Sequence, residues 1–406
     1  MKTNTSSELR LNIETYYGGK NQPTHPSVVS FEKAWNGYKY WMAYSPFPNG
    51  NGDEENPCIA VSNDLLYWDI PQGFLNPISN NEELGCKELK DPHILFRKDL
   101  DRIEVWFLGR VHPNIGGDGI TLNLIRKYSY DGVSWSPFEV LSETEYLCPS
   151  VIWEDNKYKL WEIGYSGERL GTVRYRESDD GVIWKNTQLC AIEGRQNDWK
   201  VWHGAVSRID NSYIFVYMDD SFCSKKLSFA SSTDGICFHP CEEQLILSKK
   251  WFSFYRPFLL KDHEIYYCYY GIIDNEGNRY ISYNKGKSLC KLDGIDSSDV
   301  IRMKELSDRV PDTSSVLYFV RSFIKEWNRL FRGELLLFNT LLMMICMFLS
   351  VPHALTLLIG IILSITYLFR FTGKRLYLKC YCLISSFIFS FFYYCLAFAL
   401  YSFLGK

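Results

Sequence analysis

The sequence predicts an all-β fold, a five-bladed β-propeller over residues 1–310, joined by a linker to a C-terminal α-helical tail with two or three transmembrane spans. Three observations carry this. Five segments begin alike, "THPSVV" at 24, "KDPHIL" at 90, "LCPSVI" at 147, "WHGAVS" at 202 and "YRPFLL" at 255. Each opens a repeat of roughly 50 to 65 residues, the size of a propeller blade, and continues into an aromatic strand. Residues 335–404 then turn almost wholly to Leu, Ile, Phe, Tyr, Cys and Met.

The first repeat runs from "THPSVV" through a polar turn into "GYKYWMAYS" and then "CIAVSNDLLYW". The second follows with "KDPHIL", "RIEVWFLGR" and "IRKYSYDGVSW", the third with "LCPSVI", "KYKLWEIGY" and "VRYRESDDGVIW", and the fourth with "WHGAVS", "SYIFVYMDD" and "LSFASSTDGICF". The fifth keeps "YRPFLL" and "EIYYCYYGI" but reduces its third strand to "RYISYNKG". Short alternating runs of this kind fit strands, and no helix-period stretch precedes residue 315. Asp-Gly suits a tight turn, because glycine takes the left-handed conformation freely, and the Trp or Phe after it can cap the blade core. Four strands per blade is the natural count, with residues 1–23 offering a strand to close the last blade. A β-sandwich would also use short strands but does not account for five matching starts.

The chain has 406 residues, 46% of them hydrophobic, enough to bury a large core. Its net charge is −3 with both signs interspersed and no basic stripe, which argues against nucleic acid as a partner. The opening "MKTNTSSELRLNIETYYGGK" lacks the apolar core of a secretory signal. Thirteen cysteines at irregular spacing form no CxxC pair, so reduced thiols in a cytosolic compartment are expected rather than a disulfide framework or a zinc site.

In a propeller the innermost strands line the central channel, so their first residues converge at one mouth. Those positions are His25, Asp91, Cys148, His203 and Arg256, mostly ionisable where a structural channel favours small or apolar side chains. Asp91 stands directly before Pro92; it is expected to face a wet pocket at the start of a strand, where proline's missing N–H is not needed. The alternative is an Asp that caps a neighbouring loop. Glu162 is a lone carboxylate among aromatics, aligned with Met42, Phe107, Tyr217 and Tyr269. Burial would raise its pKa toward general-acid use, and simple solvation at a strand end is the other reading. Asp219 and Asp220 end the matching strand of the fourth repeat. His25, His203 and Asp91, with His93, could form a two-histidine, one-carboxylate metal site, although the preferred reading assigns no metal and no other cofactor.

The five-fold pattern, with "HPSVV", "KDPHI", "SVIWEDNKYKLW" and the Ser-x-Asp-Gly turns, resembles the five-bladed propeller glycosidases, glycoside hydrolase family 43 and its relatives in families 32, 62, 68 and 130. The resemblance covers about residues 20 to 290. It implies two carboxyls flanking a glycosidic bond, with a third acid that orients. Asp91 matches the orienting Asp-Pro strand; His25 stands where an Asp belongs on the first blade, and His203 where a Glu would open the fourth. Asp91 is then the catalytic residue that orients or acts as base, Glu162 the acid, and Glu55 stands near the first blade. His25, Glu55, His93, His203, Trp202, Arg256 and Asp219 are expected substrate contacts, imidazoles bonding sugar hydroxyls and Trp202, Trp161 or Tyr255 stacking on sugar faces. Arg256 suits a carboxylate or phosphate on the ligand, or an ion pair with a channel acid.

Residues 311–333 read as a linker and amphipathic juxtamembrane helix, and apolar runs at 335–351, 354–369 and 380–404 as spans within 334–406, a re-entrant hairpin being the alternative for the first two. Lys325, Arg329 and Arg332 precede the first run and Arg370, Lys374, Arg375 and Lys379 follow the second, which puts the propeller in the cytoplasm. The expected protein is an integral membrane, glycosidase-like propeller acting on a carbohydrate or lipid-linked sugar, hydrolysing or transferring a glycosyl group in surface polysaccharide assembly. A non-catalytic carbohydrate-binding or scaffold propeller is the alternative.

Overall fold

Along the second strand of each repeat, side chains of both alternating sets are buried, as in Trp41, Met42, Ala43 and Tyr44 or in Val105, Trp106, Phe107 and Leu108. Strands covered on both faces belong to sheets stacked side by side around an axis. The computed structural model describes residues 4–7, 10–85, 88–110, 122–164, 167–194, 200–219, 224–248 and 252–294. The chain divides after Arg309 into two units, and every described residue belongs to the first.

The first sheet is Pro23–Trp35, Tyr38–Pro46 and Cys58–Ser62; the second is Leu89–Arg97, Arg102–Arg110, Leu122–Ser129 and Glu139–Thr144. Tyr146–Glu154, Lys157–Gly164, Val173–Ser178 and Trp184–Leu189 make the third. Val201–Ile209, Ser212–Asp219, Lys226–Ser232 and Cys237–Leu247 make the fourth, and Ser253–Asp262, Ile265–Ile273, Arg279–Ser288 and Lys291–Gly294 the fifth. Within each sheet, consecutive strands pair antiparallel. The first strand of each sheet packs against the first strands of its two neighbours, and the ring closes where Ser253–Asp262 meets Pro23–Trp35. The fold is an all-β propeller.

Two details differ from the sequence expectation. Four of the sheets are complete blades of four or more strands, but the first has three. After Ser62 the chain keeps one two-bond bridge, Val61 to Asp69, and then meets Pro71, Gly73 and Pro77, which do not extend a ladder. Residues 4–5 pair parallel with Cys237–Leu247 of the fourth sheet rather than closing the fifth, whose outer edge is already taken by Lys291–Gly294. Residues 311–333 and the three apolar runs of the tail lie outside the described residues; no described helix is long and apolar enough to cross a membrane.

Neighbouring sheets are fastened by the Ser-x-Asp-Gly turns. Asp131 Oδ1 accepts from the amides of Val133 and Ser134, and Asp180 and Asp234 repeat this at Val182–Ile183 and Ile236–Cys237. The turn glycine then lies on the tryptophan of the preceding sheet: Gly132 on Trp41, Gly181 on Trp106 and Gly235 on Trp161. At Gly181 (φ +85°) an added Cβ would come within 2.8 Å of the Trp106 ring, and at Gly235 (φ +77°) within 2.7 Å of Trp161. Leu65, φ 65°, holds the same slot in the first repeat, over the Ser62–Asp64 cap. Buried Glu104 adds a tie between the second and third sheets, accepting from Arg102, Trp106 and, at 3.0 Å, the Tyr158 hydroxyl.

Gly181→Ala should therefore destabilise the propeller by more than about 2 kcal/mol, because a strained φ and a steric clash act together. Gly277→Ala, at φ +82° with nothing within 4 Å of the new methyl, should lose only about 1 kcal/mol. Urea unfolding followed by tryptophan fluorescence ranks the two; equal losses would remove the seat on Trp106 as a stabilising contact.

Candidate active site

The repeat positions reach the axis through a shared irregularity. Pairing register shifts between Thr24 and Ser27, Lys90 and His93, Val201 and Gly204, and Tyr255 and Pro257, and opposite Leu147–Ser150 in the third sheet. Such a bulge adds a residue to one strand and re-aims its side chain. His25 (φ 53°), Asp91 (φ 55°) and Cys148 (φ 55°) take the left-handed conformation that non-glycine residues rarely adopt. Proline follows at 26, 92, 149 and 257, where the bulge leaves no ladder bond for an N–H to make. Asp91 is thus the third residue of its strand rather than the first.

The turned-out side chains meet in a buried cluster. Asp91 Oδ2 accepts the Cys148 amide at 2.9 Å, while Oδ1 faces Arg256 Nη1 at 3.3 Å and His25 Nε2 at 3.4 Å. His25 Nδ1 lies 2.8 Å from Ser45 Oγ and 3.1 Å from Glu55 Oε1. His203 Nδ1 lies 2.6 Å from Cys148 Sγ, and Arg256 donates to the Pro149 carbonyl at 2.9 Å. The Tyr255 ring packs against both imidazoles, its centroid 4.9 Å from His25 and 4.6 Å from His203, which lie 6.0 Å from each other. The wet pocket expected around Asp91 is not what forms: Asp91 is 2% exposed and His25 and Arg256 no more than 1%. Aromatic and guanidinium groups close over the cluster, with Arg279 lying on the Phe47 ring at 4.3 Å.

Burial and charge set the protonation states. Burial alone would raise the Asp91 carboxyl, but Arg256, His25, His203 and the Cys148 amide outweigh it and hold Asp91 well below the usual carboxylate range. Burial pushes Glu55 well above that range against the pull of Lys90. It likewise lowers His25, brings His203 down to about 4, and raises the Cys148 thiol. Burial thus favours the neutral forms of the two imidazoles and of Glu55, while Arg256 favours the charged form of Asp91.

The other expected site residues are placed differently. His93 bonds the Val151 carbonyl through Nε2 at 2.9 Å and Ser27 Oγ through Nδ1 at 3.2 Å, tying three sheets together beneath the cluster. Glu162 is buried, with both oxygens taken by Arg174, Arg176 and Thr144. No edge of that carboxylate is open to a leaving group, so the geometry turns the expected acid into the centre of an ion pair. The physical reason is register: Glu162 sits directly opposite Arg174 on the next strand. Trp161 is sealed beneath Gly235 and cannot stack on a ligand, whereas half-buried Trp202 stands edge-on to His203 at 5.7 Å. Asp219 ends its strand opposite Val201, and its side chain, like Asp220, lies outside the description. Sequence reasoning assigned no role to Cys148, although its repeat position pointed to it, and missed Ser45, Phe47 and Arg279, which carry no repeat signature.

The same atoms form two candidate cation-binding groups that share Asp91: His25, Glu55 and Asp91, and Asp91, Cys148 and His203, each with ligand atoms within 4.8 Å of one another. His25 Nε2, His203 Nε2 and Arg256 Nη1 are buried without a hydrogen-bond partner among the described residues. Orphaned imidazole nitrogens beside an ionised carboxylate fit a divalent cation.

An all-β propeller with a buried histidine–carboxylate centre on its axis is the class of protein these features define. No protein-family model matches the chain. Over 290 residues it is 24% identical to the A type blood N-acetyl-alpha-D-galactosamine deacetylase of Flavonifractor plautii, covering 57% of this chain and 37% of that protein. The chain therefore spans little more than a third of that relative's length. The crystal structure of an N-acetylgalactosamine deacetylase from F. plautii in complex with blood group B trisaccharide superposes with a TM-score of 0.56 at 20% identity, over 70% of this chain and 95% of that one. A thermostable family-43 glycoside hydrolase superposes with a TM-score of 0.53 at 13% identity, over 72% and 96%.

Burial brings His93 down to about 3, below the ordinary 6.5 of an unfolded histidine. The unfolded chain then binds the extra proton first, so this stability is complete above pH 6.5 and drains away as pH falls toward 3. Between pH 6.5 and 4.5, wild type should lose on the order of 2 kcal/mol more than His93→Gln, read from urea unfolding at both pH values. Parallel losses would exclude a neutral buried His93.

Proposed function

We propose that this chain is a carbohydrate-active propeller that hydrolyses the N-acetyl group of an amino sugar, releasing acetate and leaving the free amine. The observation that carries the reading is Asp91, an ionised carboxylate pinned on the propeller axis between the Cys148 amide, Arg256 and His25, with protonated Glu55 on the far side of the same imidazole. The deacetylase relative, matched in sequence and in fold, supports it.

In this reading Asp91 and His203 would hold a divalent cation, with His25, Glu55 and Cys148 flanking. Such an ion would supply Lewis-acid polarisation of the acetyl carbonyl and a more acidic water. Asp91 orients the water, and Arg256 keeps Asp91 in place. The attacking water gives up its proton to solvent as it adds to the carbonyl carbon; Glu55 then hands its own proton to the departing nitrogen as the C–N bond breaks and is reprotonated from solvent, which requires the raised pKa that burial gives it. Half-buried Trp202 offers an aromatic face to the sugar ring.

Glycosyl hydrolysis or transfer is the second reading. One observation favours it: carboxylate oxygens of Glu55 and Asp91 lie within 4.8 Å of each other, near the roughly 5 Å of a retaining pair. We also count the three-stranded first sheet, with its Val61–Asp69 bridge, as a fifth blade. The runs at 335–351, 354–369 and 380–404 are proposed to cross a membrane with the propeller on the cytoplasmic side, which favours a lipid-linked or nucleotide-linked substrate.

Detergent-solubilised full-length protein incubated with N-acetylgalactosaminides and N-acetylglucosaminides should release acetate and no new reducing ends. Asp91→Asn should lower kcat/KM by about a thousandfold and, because it leaves Arg256 buried without its anion, also lower the urea midpoint. Chelation should abolish activity, and added divalent cation should restore it. New reducing ends without acetate would favour the glycosidase, and binding without either product a scaffold. In sealed inverted vesicles, protease should remove the propeller; protection there would place it on the opposite side.

A further inference from the structure

We propose that Cys148 is itself a ligand of the axial cation, as a thiolate beside Asp91 and His203, so that the site takes a thiophilic divalent ion of the zinc type in preference to magnesium or manganese. This rests on the metal reading above and names the ion that reading leaves open.

Three buried cysteines are found among the described residues, and their surroundings differ. Cys58 bonds a local carbonyl, that of Asn56, and Cys268 packs in an apolar cluster with Val216, Phe254 and Ile272. Cys148 alone of the three occupies the bulge position that elsewhere carries His25, Asp91, His203 or Arg256. Its backbone takes φ 55°, a conformation that an ordinary apolar filler would not need. The Sγ lies 2.6 Å from His203 Nδ1, its own amide holds Asp91 Oδ2, and the three donor atoms lie within 4.8 Å. An independent observation points to a ligand beside Asp91: His25 is fully buried, and its Nε2, 3.4 Å from Asp91 Oδ1, has no hydrogen-bond partner among the described residues.

The two donor groups around Asp91 have different chemistry. His25, Glu55 and Asp91 offer one nitrogen and two oxygens, a set that suits hard ions; Asp91, Cys148 and His203 replace one oxygen with sulfur, which selects zinc-like ions. When the metal–sulfur bond forms, the S–H bond breaks and its proton leaves to solvent, with no change in oxidation state.

The full-length, detergent-solubilised protein is stripped with chelator and loaded with cobalt(II). Wild type should show a near-ultraviolet thiolate-to-cobalt charge-transfer band that is lost in Cys148→Ser and kept in Cys268→Ser. In chelator competition, zinc affinity should fall roughly tenfold or more in Cys148→Ser while manganese affinity changes little. Bound cobalt without that band in wild type overturns the thiolate ligand whatever the variants do, and leaves the metal reading standing. Absence of bound cobalt in wild type overturns the metal reading and the thiolate with it.

Discussion

The centre of this molecule depends on a backbone constraint. On each innermost strand one extra residue is forced out of the ladder, and in three of them that residue is held at positive φ without being glycine. Each such residue carries strain of order 1–3 kcal/mol, which persists only because the surrounding sheets fix it. The ring of first strands supplies that fixation, and His93 locks three of its members together below the cluster. Chemistry on the axis is therefore inseparable from ring closure: side chains from sequence positions as distant as 25 and 256 meet because the sheets return to their start.

Burying such a group is stable only if its charges are matched. Asp91 is paired on one oxygen with a guanidinium and on the other with a backbone amide, while the imidazoles and Glu55 remain neutral. One anion against one cation is a tolerable interior arrangement; two ionised carboxylates would not be. The divergent states of Asp91 and Glu55, two carboxyls on either side of one histidine, are what acid–base chemistry uses. Removing Arg256 would upset this balance more than removing any apolar neighbour.

Much of the fold was legible because repetition is a signal that needs no propensity scale: five matching starts located the innermost strands and, through them, His25, Asp91, Cys148, His203 and Arg256. What could not be read depends on partners across strands and between sheets. Glu162 stood out as a misplaced acid, yet its role is fixed by Arg174 and Arg176, two residues whose register against it no linear pattern displays. The Asp-Gly turns were recognisable as turns, but their seating on Trp41, Trp106 and Trp161 of the preceding sheet is a tertiary fact. The burial of the axial cluster was missed because ionisable residues argue for water until their mutual pairing is known.

The amino-terminal segment has a consequence for how the ring is secured. Residues 4–5 join the edge of the fourth sheet, Ser7 bonds Tyr270 and Asn284 of the fifth, Leu11 bonds Ile281, and Tyr44 of the first sheet donates to the Glu14 carbonyl. Residues 4–7 and 10–14 thus run like a drawstring over the seam where the last sheet meets the first. Opening the ring at this seam breaks these bonds as well, so a change that detaches residues 4–7 loosens ring closure without touching any residue on the axis.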